Sequence, residues 1–139
     1  MARQASQETW DTSCVRIGLT FDTGALIALE RRTQRMWRAY GVARETGVMV
    51  TVPAVVIAEW WHGRTDVRDR ILLGVRVEQT DTSLMKMAGE AVAATKGATV
   101  IDAIVMASAA RRGDVVYTSD YDDLDRLTGF FKSVRVLRC

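Results

Sequence analysis

Short buried runs alternate with helix-length segments along the whole chain, and that alternation leaves few folds open. Val15 to Phe21, Val48 to Val52, Val75 to Glu78, Val115 to Thr118 and Ser133 to Leu137 are short, apolar or β-branched stretches that suit strands inside a sheet. Between them, Thr23–Arg32, Thr33–Thr46, Pro53–His62, Gly63–Gly74, Thr82–Lys96, Ile101–Ala110 and Tyr121–Leu127 carry apolar residues at helical spacing. Gly47 and Gly97 close two of these helices, and Pro53, the one proline, stands where its fixed φ suits a first helical turn. Strand–helix alternation predicts a mainly parallel sheet with helices on both faces. At 139 residues the chain is expected to form one domain.

Bulk properties exclude several classes. The net charge of +2 provides no global basic field for gripping nucleic acid. Only Lys86, Lys96 and Lys132 interrupt a cation set that is otherwise arginine, which suits bidentate phosphate contacts but also follows from a GC-rich genome. Cys14 and Cys139 have neither metal-ligand spacing nor partners for a disulfide framework, which points to a reducing cytosol. No apolar run approaches the length of a membrane span, and residues 1–15 read as a polar extension without a signal-peptide core, ahead of a domain at 16–139. His62 is the only histidine, which excludes mechanisms that need a histidine pair or a His-rich metal site.

Four carboxylates stand where chemistry is possible. Asp22 ends the first strand and starts a helix, the place where open α/β folds bind ligands. It also fits a plain helix cap, so both roles are open. Glu59 is the one acid in an apolar helix, beside Val55 and Val56, and is expected to be partly desolvated. Asp102 lies three residues after Thr99, so it suits a capping box as well as a ligand. Asp120 follows the strand ending at Thr118, and Asp122, Asp123 and Asp125 add charge to the next helix start. If the strands before Asp22 and Asp120 are neighbours, the four acids reach one crevice. At ~4 Å and an effective dielectric near 20, each pair of ionised carboxylates repels by roughly 4 kcal/mol. Protonation or a bound cation must relieve that repulsion, and an all-oxygen site selects hard ions such as Mg²⁺ or Mn²⁺. Such an ion can activate water toward a phosphodiester without a protein nucleophile.

The segments Phe21-Asp22-Thr23-Gly24-Ala25-Leu26, Val52-Pro53-Ala54-Val55-Val56-Ile57-Ala58-Glu59, Ile101-Asp102-Ala103 and Val116-Tyr117-Thr118-Ser119-Asp120-Tyr121-Asp122-Asp123-Leu124 together resemble the PIN domain. More narrowly the chain resembles VapC-type toxins of bacterial type II toxin–antitoxin pairs, over about residues 16–139. The resemblance implies a PIN-like α/β three-layer sandwich around a sheet of about five parallel strands. It implies a Mg²⁺-dependent endoribonuclease acting on tRNA or ribosomal RNA. By motif match Asp22, Glu59, Asp102 and Asp120 are its acidic quartet and metal ligands. Thr23 and Thr118 match auxiliary hydroxyl positions, and Asp123 matches an acidic position of variable importance. A homodimer, a cognate VapB-type antitoxin whose C-terminal segment lies over the active site, and a cytoplasmic location are implied as well.

Two other classes compete. A PIN-like module that only binds RNA or protein has no reason to keep four mutually repelling acids. An aspartyl-phosphate enzyme with Asp22 as nucleophile usually has a second acid two residues on, where this chain has Gly24. No Gly-rich Lys-Ser/Thr loop follows a strand, which excludes a P-loop NTPase. Arg31, Arg35 and Arg38 fall at i, i+4 and i+7, and would form one basic stripe for RNA or antitoxin if the first two helices are continuous. A solvated face is the competing reading of that stripe.

Overall fold

A computed structural model describes residues 17–139. The N-terminal extension at 1–15 and Cys14 lie outside the described residues. Strands are β1 (Leu19–Phe21), β2 (Val50–Pro53), β3 (Arg76–Glu78), β4 (Val115–Thr118) and β5 (Arg135–Arg138). Helices are α1 (Thr23–Glu30), α2 (Gln34–Thr46), α3 (Ala54–Trp60), α4 (Asp66–Gly74), α5 (Thr82–Ala94), α6 (Val100–Arg112) and α7 (Tyr121–Arg126), with a 3₁₀ turn at Leu127–Gly129. The five strands form one parallel sheet in the order β3-β2-β1-β4-β5. This is the expected α/β sandwich.

The order places β1 at the centre, flanked by β2 on one side and β4 on the other. Successive crossovers run from β1 out to β3, and then the chain returns to β4 on the far side of β1. The strand order therefore reverses between β1 and β4, and open α/β sheets form their ligand crevice at such a reversal. Registers Leu19↔Val115, Thr20↔Val116 and Phe21↔Tyr117 bring the ends of these two strands out together.

Alternation along β1 assigns its faces. Phe21 points toward α2, where its ring lies 6.4 Å from that of Tyr40. Thr20 points the other way and donates to Asp114 at 2.8 Å under the C-terminal end of α6. The small residues of α6 have the consequence their size suggests. Ala103, Ala107, Ser108 and Ala109 are fully buried, and α6 packs on β1, β2, β4 and α5. Phe21, Leu26, Leu29, Met36, Trp60, Met106 and Leu124 complete a continuous core.

Three expectations need correction. The first two helices are not continuous. Arg31 caps α1, and Arg32 has φ 57°, a left-handed conformation that turns the chain before α2. Arg31, Arg35 and Arg38 therefore do not form one stripe. Pro53 is the last residue of β2 and precedes α3 rather than opening it, and the helix ends at Trp60, short of His62. The charged segment from Gly63 becomes helical only at Asp66, where Thr65 accepts a capping bond from the Arg68 N–H at 3.1 Å.

Candidate active site

Asp22 is both a cap and a site residue. Its Oδ1 accepts from the Ala25 N–H at 2.8 Å, which closes the first turn of α1. Its Oδ2 accepts from the Thr118 hydroxyl. Thr118 in turn accepts the Asp120 N–H at 2.8 Å, so one hydroxyl joins the ends of β1 and β4 and sets both acids. Only 6% of Asp22 is exposed. Burial, opposed by the bonds from Thr118 and Ala25 and reinforced by the charges of Asp120 and Asp102, raises its pKa to about 6.

Asp22, Glu59, Asp102 and Asp120 line a single crevice of about 560 Å³. They arrive from the end of β1, from α3, from the first turn of α6 and from the turn after β4. Glu59 accepts from the Thr23 hydroxyl at 2.6 Å, which links α3 to α1 across the mouth. Glu59 is exposed, contrary to the desolvation expected from its apolar neighbours. The reason is that α3 turns Val56 and Trp60 inward and leaves Ala58 and Glu59 outside. Asp102 is held next to Thr99, whose hydroxyl accepts the Asp102 N–H at 3.3 Å. Burial is the main cause of its raised pKa. The Thr99 bond lowers it, and the charges of Asp123, Asp120 and Glu59 raise it further. Asp123 does not line the crevice, but its charge reaches Asp102.

Arg35 and Arg38 lie elsewhere, in a larger groove of about 800 Å³ between α2 and the β4–β5 side of the sheet, where Arg35 donates to the Arg138 carbonyl at 3.3 Å. That groove contains none of the four acids, so size alone does not mark the site. Sequence reasoning left Ser119 and Ile27 without a site role, yet both line the crevice. Ser119 fills the space beside Gly24, where an added Cβ would come within 1.8 Å of the Ser119 Oγ. The one available signal was the position of Ser119 between Thr118 and Asp120 at a strand end.

Comparison with solved structures shows that this architecture recurs. The chain is similar to one in DNA-bound VapBC from Salmonella typhimurium, with TM-score 0.65 and 18% identity over 88% of this chain and 98% of that one. It is also similar to one in VapBC2 from Rickettsia felis bound to a promoter DNA fragment, with TM-score 0.72 and 9% identity over 88% and 99%. A third is in FitAB bound to a DNA fragment, with TM-score 0.59 and 18% identity over 86% and 94%.

The chain has a PIN-like fold.

No family model and no curated protein matches the sequence. The PIN-like frame nonetheless accounts for the convergence of the acids, because β1 and β4 are adjacent and parallel and deliver Asp22 and Asp120 to the same edge. In their present positions no three acidic, histidine or cysteine side chains among the described residues stand close enough to hold one metal ion. A bound cation would draw such carboxylates closer by offsetting their mutual repulsion.

Proposed function

We propose that this protein is a metal-dependent endoribonuclease, the toxin of a toxin–antitoxin pair. The observation that carries the reading is the convergence of four carboxylates from four elements on one crevice, with Asp22 buried among like charges. The donor set is all oxygen, which suits Mg²⁺ or Mn²⁺. Asp22, Asp102 and Asp120, with Glu59 at the mouth, would hold the ion. When bound it would activate water and offset charge on a phosphodiester. The chain's own groups orient the ligands. Thr118 fixes one oxygen of Asp22, the α1 backbone fixes the other, and Thr23 anchors Glu59. Ile27, Val100 and Val105 give the crevice apolar walls.

The substrate in this reading is a structured RNA, either tRNA or ribosomal RNA. The partners are a VapB-type antitoxin and a second copy of the chain, in the cytoplasm. No helix among the described residues is long and apolar enough to cross a membrane. The competing reading is a PIN-like module that binds RNA or protein without turnover.

Total RNA incubated with wild type and Asp102→Ala, with and without Mg²⁺, separates the two. Asp102 is the right target because its capping-box role is the most credible structural alternative in the quartet. Metal-dependent cutting by wild type, absent in a folded Asp102→Ala, is the expected result. RNA retained on the protein but never cut, by either chain at any metal concentration, would favour the binding module.

A further inference from the structure

The crevice does not end at the carboxylates. Ile27 lines it and also lines a second cavity of about 350 Å³ formed with Glu30, Arg31, Trp60, His62 and Arg68. The chain neighbours of Arg31 and Arg68 are Arg32 and Val67, and both line a third cavity of about 340 Å³ with Trp37, Tyr40, Arg44 and Arg70. The three concavities thus follow one another along α1 and α4. Arg32 lies ten residue steps beyond Asp22, across α1 and its cap, a path of about 15 Å at helical rise.

The exposed charge lining the two outer cavities is of one sign. Glu30 is the only acid lining the two outer cavities. It is already engaged, accepting from Trp60 Nε1 at 3.0 Å and pairing with Arg68 at 3.0 Å. Arg31, Arg32, Arg44 and Arg70 are exposed and make no ion pair among the described residues. Two of them lie beside aromatic rings: Arg32 is 5.3 Å from the Trp37 ring centre, and Arg44 is 5.7 Å from that of Tyr40, to whose hydroxyl its Nη1 donates at 3.1 Å. Trp37 is 52% exposed despite that cover. A guanidinium stacked on a ring keeps its edge N–H groups for phosphate oxygens. Arg32 also holds a left-handed backbone (φ 57°), a conformation that is strained for arginine and open to glycine.

We infer that these arginines and Trp37 form a rail for a single-stranded stretch of RNA leading out of the crevice. Its phosphates lie on Arg31, Arg32, Arg44 and Arg70, and one base stacks on Trp37. Alternating cations and an exposed ring are what sequence-tolerant strand binding requires, and four unpaired cations favour a polyanion. The inference rests on the nuclease reading for the nature of its ligand.

The test is fluorescence anisotropy of a labelled single-stranded RNA oligonucleotide with the full chain in EDTA, where no metal-dependent cutting occurs. Trp37→Ala should weaken binding roughly tenfold and leave the salt slope unchanged, since stacking releases no counter-ions. Arg32→Ala with Arg44→Ala should weaken binding and lower the slope by about 0.7 for each phosphate no longer neutralised. Arg32→Gly relieves the backbone and should melt no lower than wild type while still losing affinity, which a merely structural role would not produce. Lys96→Ala, exposed and lining a cavity that shares no residue with the rail, serves as the control. Unchanged affinity in all rail variants would overturn the inference. So would competition by an acidic peptide that matches competition by unlabelled RNA and is insensitive to Trp37→Ala, because the surface would then dock protein. Rail-dependent binding of the oligonucleotide, together with no cutting of total RNA in Mg²⁺, would instead overturn the nuclease reading and leave the rail standing.

Discussion

Asp22 caps a helix and lines the crevice with the same carboxylate, and the two roles pull its protonation in opposite directions. The bonds from Ala25 and Thr118 favour the charged form, whereas burial and the neighbouring acids oppose it more strongly, so the pKa rises from 3.8 to about 6. A raised carboxylate pKa means that the folded state binds the proton more tightly than the unfolded chain. The stability from this group is fully present below pH 3.8 and is lost as pH rises toward 6. The loss is about 3 kcal/mol in the absence of divalent metal. In EDTA, Asp22→Asn should therefore unfold at a higher denaturant concentration than wild type above pH 6, and the difference should shrink toward pH 4. The same variant should have no nuclease activity. A wild-type-like pH profile in Asp22→Asn would mean that another group carries the titration. Gly24 acts at the same scale. Its missing Cβ leaves room for Ser119, whose Cβ would lie 2.8 Å from an added methyl. Gly24→Ala should cost about 1–3 kcal/mol and most of the activity, with part of each recovered in the double variant with Ser119→Gly.

Helix α6 depends on its two ends for different things. Its first turn presents Asp102 to the crevice, held by the Thr99 cap. Its last residue, Arg112, ties it to the sheet. Arg112 Nε donates to Asp114 at 2.9 Å, and one terminal nitrogen donates to Thr20 and Ser108 at 2.9 Å each. The other meets Glu78, which also accepts from Ser108 at 2.8 Å. One arginine thus joins β1, β3 and the start of β4 under the helix. Arg112→Ala would strand Asp114, which is 5% exposed, and leave Glu78 without its best-placed cation. Breaking such a pair from one side costs about 3–5 kcal/mol. Thermal unfolding should show that loss. Replacing Arg112 together with Asp114→Asn should cost less than the sum of the two single changes, because the stranded charge is gone.

At the scale of the molecule, the fold gathers like charges at one end of the sheet, and a cation is expected to stabilise the whole domain. A ligand that binds only the folded state adds about 2.7 kcal/mol at a hundred times its dissociation constant. Mn²⁺ or Mg²⁺ should therefore raise the unfolding midpoint of wild type, beyond any effect of NaCl at equal ionic strength. Asp102→Ala should lose most of that increment, and equal increments in both proteins would place the ion elsewhere. The alternation of strand-length and helix-length segments was legible from residue pattern alone, because burial imposes period 2 or 3.6 wherever a segment has one buried face. That pattern also located the ends of β1 and β4, and so Asp22 and Asp120. It could not decide which strands are neighbours, since pairing follows from crossovers and packing between segments far apart in the chain. Three site features depended on that step. Glu59 proved exposed because α3 turned Val56 and Trp60 inward, and a helix fragment alone does not show which of its apolar residues will be covered. The arginine stripe was divided by the left-handed turn at Arg32, a conformation no propensity assigns to arginine. Ser119 joined the crevice only because α1 and the turn after β4 pack closely enough to require Gly24. Residue order alone thus set the succession and type of the elements and the acids at their ends, because local chemistry controls them. Which acids meet, how deeply each is buried and where the arginines face were settled only in the packed chain, because those depend on contacts between residues nearly a hundred positions apart, such as Thr118 with Asp22.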